Sequence, residues 1–201
     1  MSDPFTQYDA RDVRDLIAEF PLAWLCAATG RADLPTQLPL LGEYDGDGVL
    51  THLLGHIPRR HPLVPAWQAD ARTLVLFQGP QAYISPEQAG VLDWAPTWNF
   101  AQLSIEGETA LLPEETGAAL TALVDAMESG RSDPWDISAL GPRYDALAQR
   151  VIAFRVRITR LVGRFKLGQD ERPEVREAII GSLGESALGR WMRRFQRRNG
   201  A

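Results

Sequence analysis

The chain carries one cysteine, Cys26, and three histidines in 201 residues. It has no apolar run approaching the roughly 20 residues that cross a bilayer. A lone cysteine excludes an internal disulfide and fits a reducing compartment. No basic neighbour in sequence lowers its pKa, so Cys26 reads as a small core residue rather than a nucleophile. The opening Met-Ser-Asp-Pro-Phe has neither a basic n-region nor an apolar h-region, so no secretory signal is expected and a cytoplasmic location is. Positive charge is scarce: 21 Lys and Arg face 26 Asp and Glu, a net charge of -5. That balance argues against a chain that wraps nucleic acid. G-x-G-x-x-G, Walker A and G-x-S-x-G stretches are all missing, which removes the common nucleotide and hydrolase signatures. At 45% hydrophobic and 23% charged residues, what remains is an ordinary globular composition and a single domain, 1–201.

The patterning gives the elements. Asp9 is a good N-cap, and Val13, Leu16, Ile17 and Phe20 then share one helical face until Pro21. Leu22 to Ala28 reads as a buried strand stopped by Thr29-Gly30, and Thr36 to Leu41 as a second. Asp45-Gly46-Asp47-Gly48 predicts a hairpin turn into a third strand, Val49 to Leu54. Gly55 to Pro62 holds too many arginines, histidines and prolines to bury, and reads as a loop or first helical turn. Trp67 follows it, in a short segment before the fourth strand. Thr73 to Gln78 is that strand, broken by Gly79-Pro80; Ala82 to Ile84 is a short one that stops at Ser85-Pro86. Asn99 to Leu112 is a long strand or hairpin around Gly107. Pro113-Glu114-Glu115 opens a helix with Leu120, Leu123, Val124 and Met127 on its apolar face. A second short helix is expected over Ile137 to Ala148. Val151 to Ile158 and Leu161 to Leu167 read as two more strands. Helices over Pro173 to Leu183 and Ser186 to Arg198 close the chain.

About seven strands at hairpin spacing predict a mainly β, α+β fold with an antiparallel barrel rather than a parallel sheet. The expected parts are a barrel core at 1–112, a helical insertion at 113–150, closing strands at 151–170 and appended C-terminal helices at 171–201.

Several residue groups carry possible chemistry. Trp94, Pro96 and Trp98 crowd one loop, and read either as a rigid aromatic wall beside something planar or as a lid of apolar rings over one end of the barrel. His52, His56 and His61 fall close together, but strand or helix geometry turns them to different sides and no Cys or Glu joins them, so a polar pocket rim is the better reading than a metal site. Arg59-Arg60 at a strand end suits phosphate, whose oxygens match guanidinium forks; two solvated arginines are the alternative. Lys166 either snorkels or supplies a second positive charge to an anion. Arg190, Arg193, Arg194, Arg197 and Arg198 share one face of the last helix, opposite Leu188, Trp191, Met192 and Phe195. The basic face is either a contact for DNA or an acidic partner, or the solvated outside of a docked helix.

Four ordered blocks extend this reading. Gly55-His56-Ile57-Pro58-Arg59-Arg60-His61-Pro62, Phe77 to Ala89, Pro96-Thr97-Trp98-Asn99-Phe100 and Phe165-Lys166-Leu167-Gly168-Gln169-Asp170 together resemble the PaiB-type family of FMN-binding split-barrel proteins, described as negative transcriptional regulators. The resemblance implies a split β-barrel of the FMN-binding type and FMN at a homodimer interface. It implies cofactor contacts from His56, Arg59, Arg60 and Lys166, with Trp98, Asn99, Thr97 and Gln78 at the ring. Catalytic residues and metals are not implied. The chain departs from the family pattern at Gln37, His61, Gln88, Ala89 and Ser104. Besides a regulator, the resemblance leaves open a flavin-dependent oxidoreductase acting on a small organic substrate in a remodelled pocket, and a structural dimer that has lost its flavin.

Overall fold

A computed structural model describes residues 3–27 and 35–199. Its chain divides into two compact units: Met1–Asp9, Gln78–Leu103 and Val162–Ala201 form one; Ala10–Phe77 and Ser104–Leu161 form the other. Seven strands make one antiparallel sheet in the order β2-β1-β5-β6-β7-β4-β3. These are β1 (Leu22–Ala27), β2 (Thr36–Pro39), β3 (Leu41–Tyr44), β4 (Leu50–Pro58), β5 (Arg72–Ile84), β6 (Thr97–Leu112) and β7 (Val151–Lys166). The helices are α1 (Ala10–Glu19), α2 (Leu63–Ala69), α3 (Pro86–Ala89), α4 (Thr116–Glu128), α5 (Arg143–Ala148), α6 (Pro173–Leu183) and α7 (Ala187–Asn199). Among the described residues no helix is long and apolar enough to cross a membrane. The α+β class with an antiparallel sheet is the one the patterning predicts.

In the second unit, α1 buries Val13, Leu16 and Ile17, the face its periodicity marks. The β3–β4 hairpin closes on Asp45, whose Oδ1 accepts from the amides of Asp47 at 3.0 Å and Val49 at 2.8 Å. Gly48, at φ 79, supplies the left-handed step the turn needs. Thr36 to Leu41 is two strands rather than one, because Leu40 turns fully inward and separates β2 from β3. Leu22 to Ala27 is buried on one face only: Ala23 and Leu25 are inside, while Leu22 and Trp24 are 49% and 39% exposed. An all-apolar run of six cannot distinguish a two-sided from a one-sided strand, and the difference leaves two large side chains on the surface. The expected stop at Thr29-Gly30 lies outside the described residues.

The stretch read as a loop at Gly55 to Pro62 continues β4 as far as Pro58, with His56 opposite Ala153 and Pro58 opposite Val151 on β7. Proline is tolerated there because it is the last strand residue. Trp67 lies on α2, its ring 4.9 Å from that of Phe154. Residues 113–115 form a 3-10 turn before α4. The α4 face is narrower than predicted: Ala119 and Leu123 are buried, whereas Met127 is 39% exposed. The helix expected over Ile137 to Ala148 is split by Gly141 at φ 51 into a 3-10 turn, Ile137–Leu140, and α5. Two predicted strands, Val151 to Ile158 and Leu161 to Leu167, are one. Glu106 of β6 holds the middle of it, accepting from Thr159 Oγ1 through its carbonyl at 3.0 Å and pairing with Arg160 at 2.8 Å.

The first unit is built around Phe165, which is fully buried. Tyr8, Trp191 and Phe195 surround its ring at centroid distances of 5.2, 6.0 and 5.3 Å. Gly163 leaves room for Tyr8, whose ring carbons would lie 2.8 Å from a Cβ there and whose hydroxyl accepts from the Gly163 amide at 2.9 Å. α7 thus docks through Leu188, Trp191, Met192 and Phe195, all buried.

Candidate functional site

Gly79-Pro80 does not break β5. The register of β1 ends at Phe77, so Pro80 lies where the sheet flanks β5 with β6 alone, and its missing N–H costs no ladder bond on the β1 side. The strand therefore carries Gln78, Gln81 and Tyr83 outward to Ile84. Ser85-Pro86 then opens α3 through a capping box. Ser85 Oγ accepts from the Gln88 amide and Gln88 Oε1 accepts from the Ser85 amide, at 3.2 and 3.0 Å. Two of the departures from the family pattern are explained here: Gln88 is the second half of the box, and Ala89 is buried.

Five of the predicted site residues, Gln78, Thr97, Trp98, Asn99 and Lys166, belong to this first unit. Gln78 and Trp98 line an open groove of about 220 Å³ with Gln81, Phe100, Ala101 and Gln102. Trp98 is 53% exposed and meets Tyr83 edge-on at 6.2 Å. A half-exposed indole among three amides suits a planar, polar-edged ligand. Lys166 ends β7 and donates to Thr97 Oγ1, leaving two ammonium N–H groups with no partner among the described residues. The loop after it is pinned: Gln169 Oε1 accepts from the Leu167 amide at 2.7 Å and Gln169 Nε2 donates to the Phe165 carbonyl.

Asn99 is an amide that the resemblance implies at the ring. It is 2% exposed and its Nδ2 donates to Met192 Sδ at 3.6 Å, so it ties β6 to α7. The aromatic wall also divides. Trp98 lines the groove, while Trp94 Nε1 donates to Glu171 Oε2 at 3.0 Å and anchors the loop before β6 to the loop after Lys166. Gln81, Phe100 and Gln102 escaped the sequence reading, although the alternation of β6 places 98, 100 and 102 on one face.

The other three, His56, Arg59 and Arg60, belong to the second unit. Arg59 Nε donates to the Gln149 carbonyl at 3.0 Å, and the Arg60 side chain is exposed. His61 Nδ1 accepts from the Leu63 amide at 3.2 Å at the start of α2, which gives this departure a structural role. His52 Nδ1 lies 3.1 Å from Thr51 Oγ1. Among the described residues no group of three or more His, Cys, Asp or Glu could hold a metal ion.

His56 Nδ1 is buried with no partner among the described residues, and burial lowers the ring's pKa below its ordinary 6.5. The folded chain thus favours the neutral ring, and the unfolded chain takes up the proton first as pH falls. Burial acts on His61 in the same direction. Stability is therefore expected to decline as the pH drops from about 7 toward about 5. Replacing His56 by Gln should flatten that decline in melts recorded across the range; an unchanged slope would show that the ring is not the titrating group.

The residues matched by the family profile described as "Putative FMN-binding domain" are 1–160. Among curated proteins, the chain is 25% identical over 170 residues to "Protease synthase and sporulation protein PAI 2" of Bacillus subtilis (strain 168), covering 83% of this chain and 80% of that one. Among solved structures it is similar to the flavocytochrome Anf3 from Azotobacter vinelandii, with a TM-score of 0.60 at 15% identity over 79% of this chain and 68% of that one. It is also similar to the FAD and heme binding protein from Mycobacterium smegmatis, with a TM-score of 0.56 at 15% identity over 86% and 78%. At such identities the structures establish the fold, a split barrel, and the cofactor that goes with the family is FMN. The chain belongs to the FMN-binding domain family.

Proposed function

We propose that the protein is an FMN-binding regulator of the PaiB type, in which Lys166 and Thr97 take the flavin phosphate and the ring rests against Trp98 beside Gln78. The observation that carries this reading is the Lys166–Thr97 pair, an ammonium with free donors held beside a hydroxyl on the unit that carries the aromatic groove. Asn99 acts from behind, through Met192. His56, Arg59 and Arg60 remain proposed flavin contacts on the family resemblance alone. The flavin, when bound, supplies the redox chemistry; this chain's residues neutralise its phosphate and fix its plane.

The regulator role comes from the sequence resemblance to the PaiB-type family. The basic face of α7 gives it little direct access to DNA. Arg193 donates to the Gly184 carbonyl at 2.7 Å and pairs with Glu185 at 2.9 Å, Arg190 donates to the Glu185 carbonyl at 3.0 Å, and Arg198 pairs with Asp9 at 3.0 Å. Regulation would then run through flavin occupancy and a protein partner. The test is to purify the protein, release any flavin by denaturation and identify it by chromatography. FMN recovered in proportion to chain supports the reading; protein that is colourless, and stays so after soaking in FMN, overturns it.

A second reading, a flavin-dependent oxidoreductase, is favoured by the openness of the groove around Trp98, which leaves space for a small organic substrate. Oxidation of NADH or NADPH by the flavin-loaded protein would select it.

A homodimer accompanies either reading. The second unit exposes Leu22, Trp24 and Leu76 at 49%, 39% and 38%, with Trp24 opposite Leu76 in the β1–β5 register, and the first exposes Tyr83 and Trp98 at 49% and 53%. Large apolar side chains left outside in this way mark association surfaces. Trp24→Glu should convert a dimer to a monomer in sedimentation; a wild type already monomeric would rule the dimer out.

A further inference from the structure

Arg176, on α6, is half-buried, and its Nε is fully enclosed. Its guanidinium makes no hydrogen bond or ion pair with any described residue. The other described arginines whose side chains lack a protein partner, Arg60, Arg143, Arg150 and Arg197, are all exposed, where water serves. Nε is shut off from water with no acceptor while the four terminal N–H donors reach solvent, and a desolvated donor is costly unless something arrives to settle the guanidinium.

Its position says what that is. The Arg176 stem lies over Gly168, with Cγ and Cδ at 3.5 and 3.7 Å from where a Cβ would stand. Gly168, at φ 82, is two residues past Lys166, in the loop pinned by Gln169 and by the Trp94–Glu171 bond. A larger residue at 168 would also press on Met192 Cε, 3.1 Å away. The glycine thus lets the arginine stem settle onto the Lys166 loop. One strand-end lysine with two spare donors and one unpaired guanidinium flank a rigid turn on the same unit.

We infer that Arg176 and Lys166 form an anion notch that takes a phosphate monoester, the guanidinium donating to its oxygens as a fork and the ammonium acting as a point charge. The inference rests on the flavin reading only for the source of that phosphate. FMN's own phosphate is one source and a second phosphorylated ligand is the other.

The experiment compares wild type, Arg176→Gln and Arg176→Lys, each checked by thermal melting, for affinity toward FMN and riboflavin and for the melting shift caused by inorganic phosphate. Loss of the fork in Arg176→Gln should weaken FMN roughly 10- to 100-fold while riboflavin is unaffected, with Arg176→Lys between. If FMN and riboflavin keep their affinities but phosphate no longer protects the Gln variant, the notch is real and serves a second ligand. Equal weakening of FMN and riboflavin, or no change in flavin affinity and in phosphate protection, overturns the inference. Should wild type bind no flavin, the flavin reading fails by itself and phosphate decides: protection lost in Arg176→Gln supports the notch, and absence of protection in wild type refutes it.

Discussion

Replacing Phe165 by Ala is expected to lower the unfolding free energy by about 3–5 kcal/mol, the range for truncating a large buried aromatic. The ring is fully buried, and Tyr8, Trp191 and Phe195 all pack on it. For a chain of this length each kcal/mol moves the melting temperature by roughly 2–4 °C, so a drop on the order of 10 °C should appear in a calorimetric scan. Phe165→Leu, which keeps most of the volume, should recover much of it. Because Phe165 precedes Lys166 and its carbonyl accepts from Gln169 Nε2, the Ala variant should also lose FMN affinity. Removing α7 after Gly184 should be worse still, since Trp191 and Phe195 leave together and Asn99 loses Met192. An unchanged melting temperature for Phe165→Ala would mean that the aromatic cluster does not hold this unit together.

Lys166→Ala should weaken FMN binding about 10- to 100-fold, because a charge-assisted bond is worth about 1.5–3 kcal/mol. Riboflavin has no phosphate and should bind the variant as it binds wild type. The Lys166–Thr97 bond makes the lysine a poor candidate for a purely solvated surface charge, and Thr97→Val should produce a smaller loss in the same direction. Fluorescence titration of the two flavins against each variant separates the outcomes. Parallel losses for both ligands would place Lys166 in the fold or at the ring instead of at the phosphate.

Three helices were legible because their apolar residues recur at helical spacing. α1, α6 and α7 fall where Val13–Ile17, Val175–Ile180 and Leu188–Phe195 put them. The β3–β4 hairpin was legible from Asp45 to Gly48, whose side chains and glycines make the turn by themselves. What misled was information held by partners. Gly79-Pro80 looks like a break until the end of β1 at Phe77 is known. Thr159 and Arg160 look like a gap until Glu106 is seen to hold them. Gln78 and Trp98, which line the groove, and Lys166, which donates to Thr97, could be named from the sequence blocks. Asn99 and Trp94 could not be assigned their places, because Met192 and Glu171, the groups that bind them, lie 93 and 77 residues away in sequence. Arg176 was invisible for a related reason: the apolar rhythm of α6 says nothing about a polar side chain lacking a partner.

The central claim is that this chain binds FMN through its phosphate at the Lys166 loop, and the most direct measurement is the melting temperature of the protein titrated with FMN and, in parallel, with riboflavin. A ligand that binds the native state stabilises it by RT ln(1 + [L]/Kd), about 2.7 kcal/mol at a hundredfold excess over Kd. The account predicts a melting temperature that climbs with FMN, and climbs less at equal riboflavin. No shift with FMN, or an identical shift with the two flavins, would contradict it.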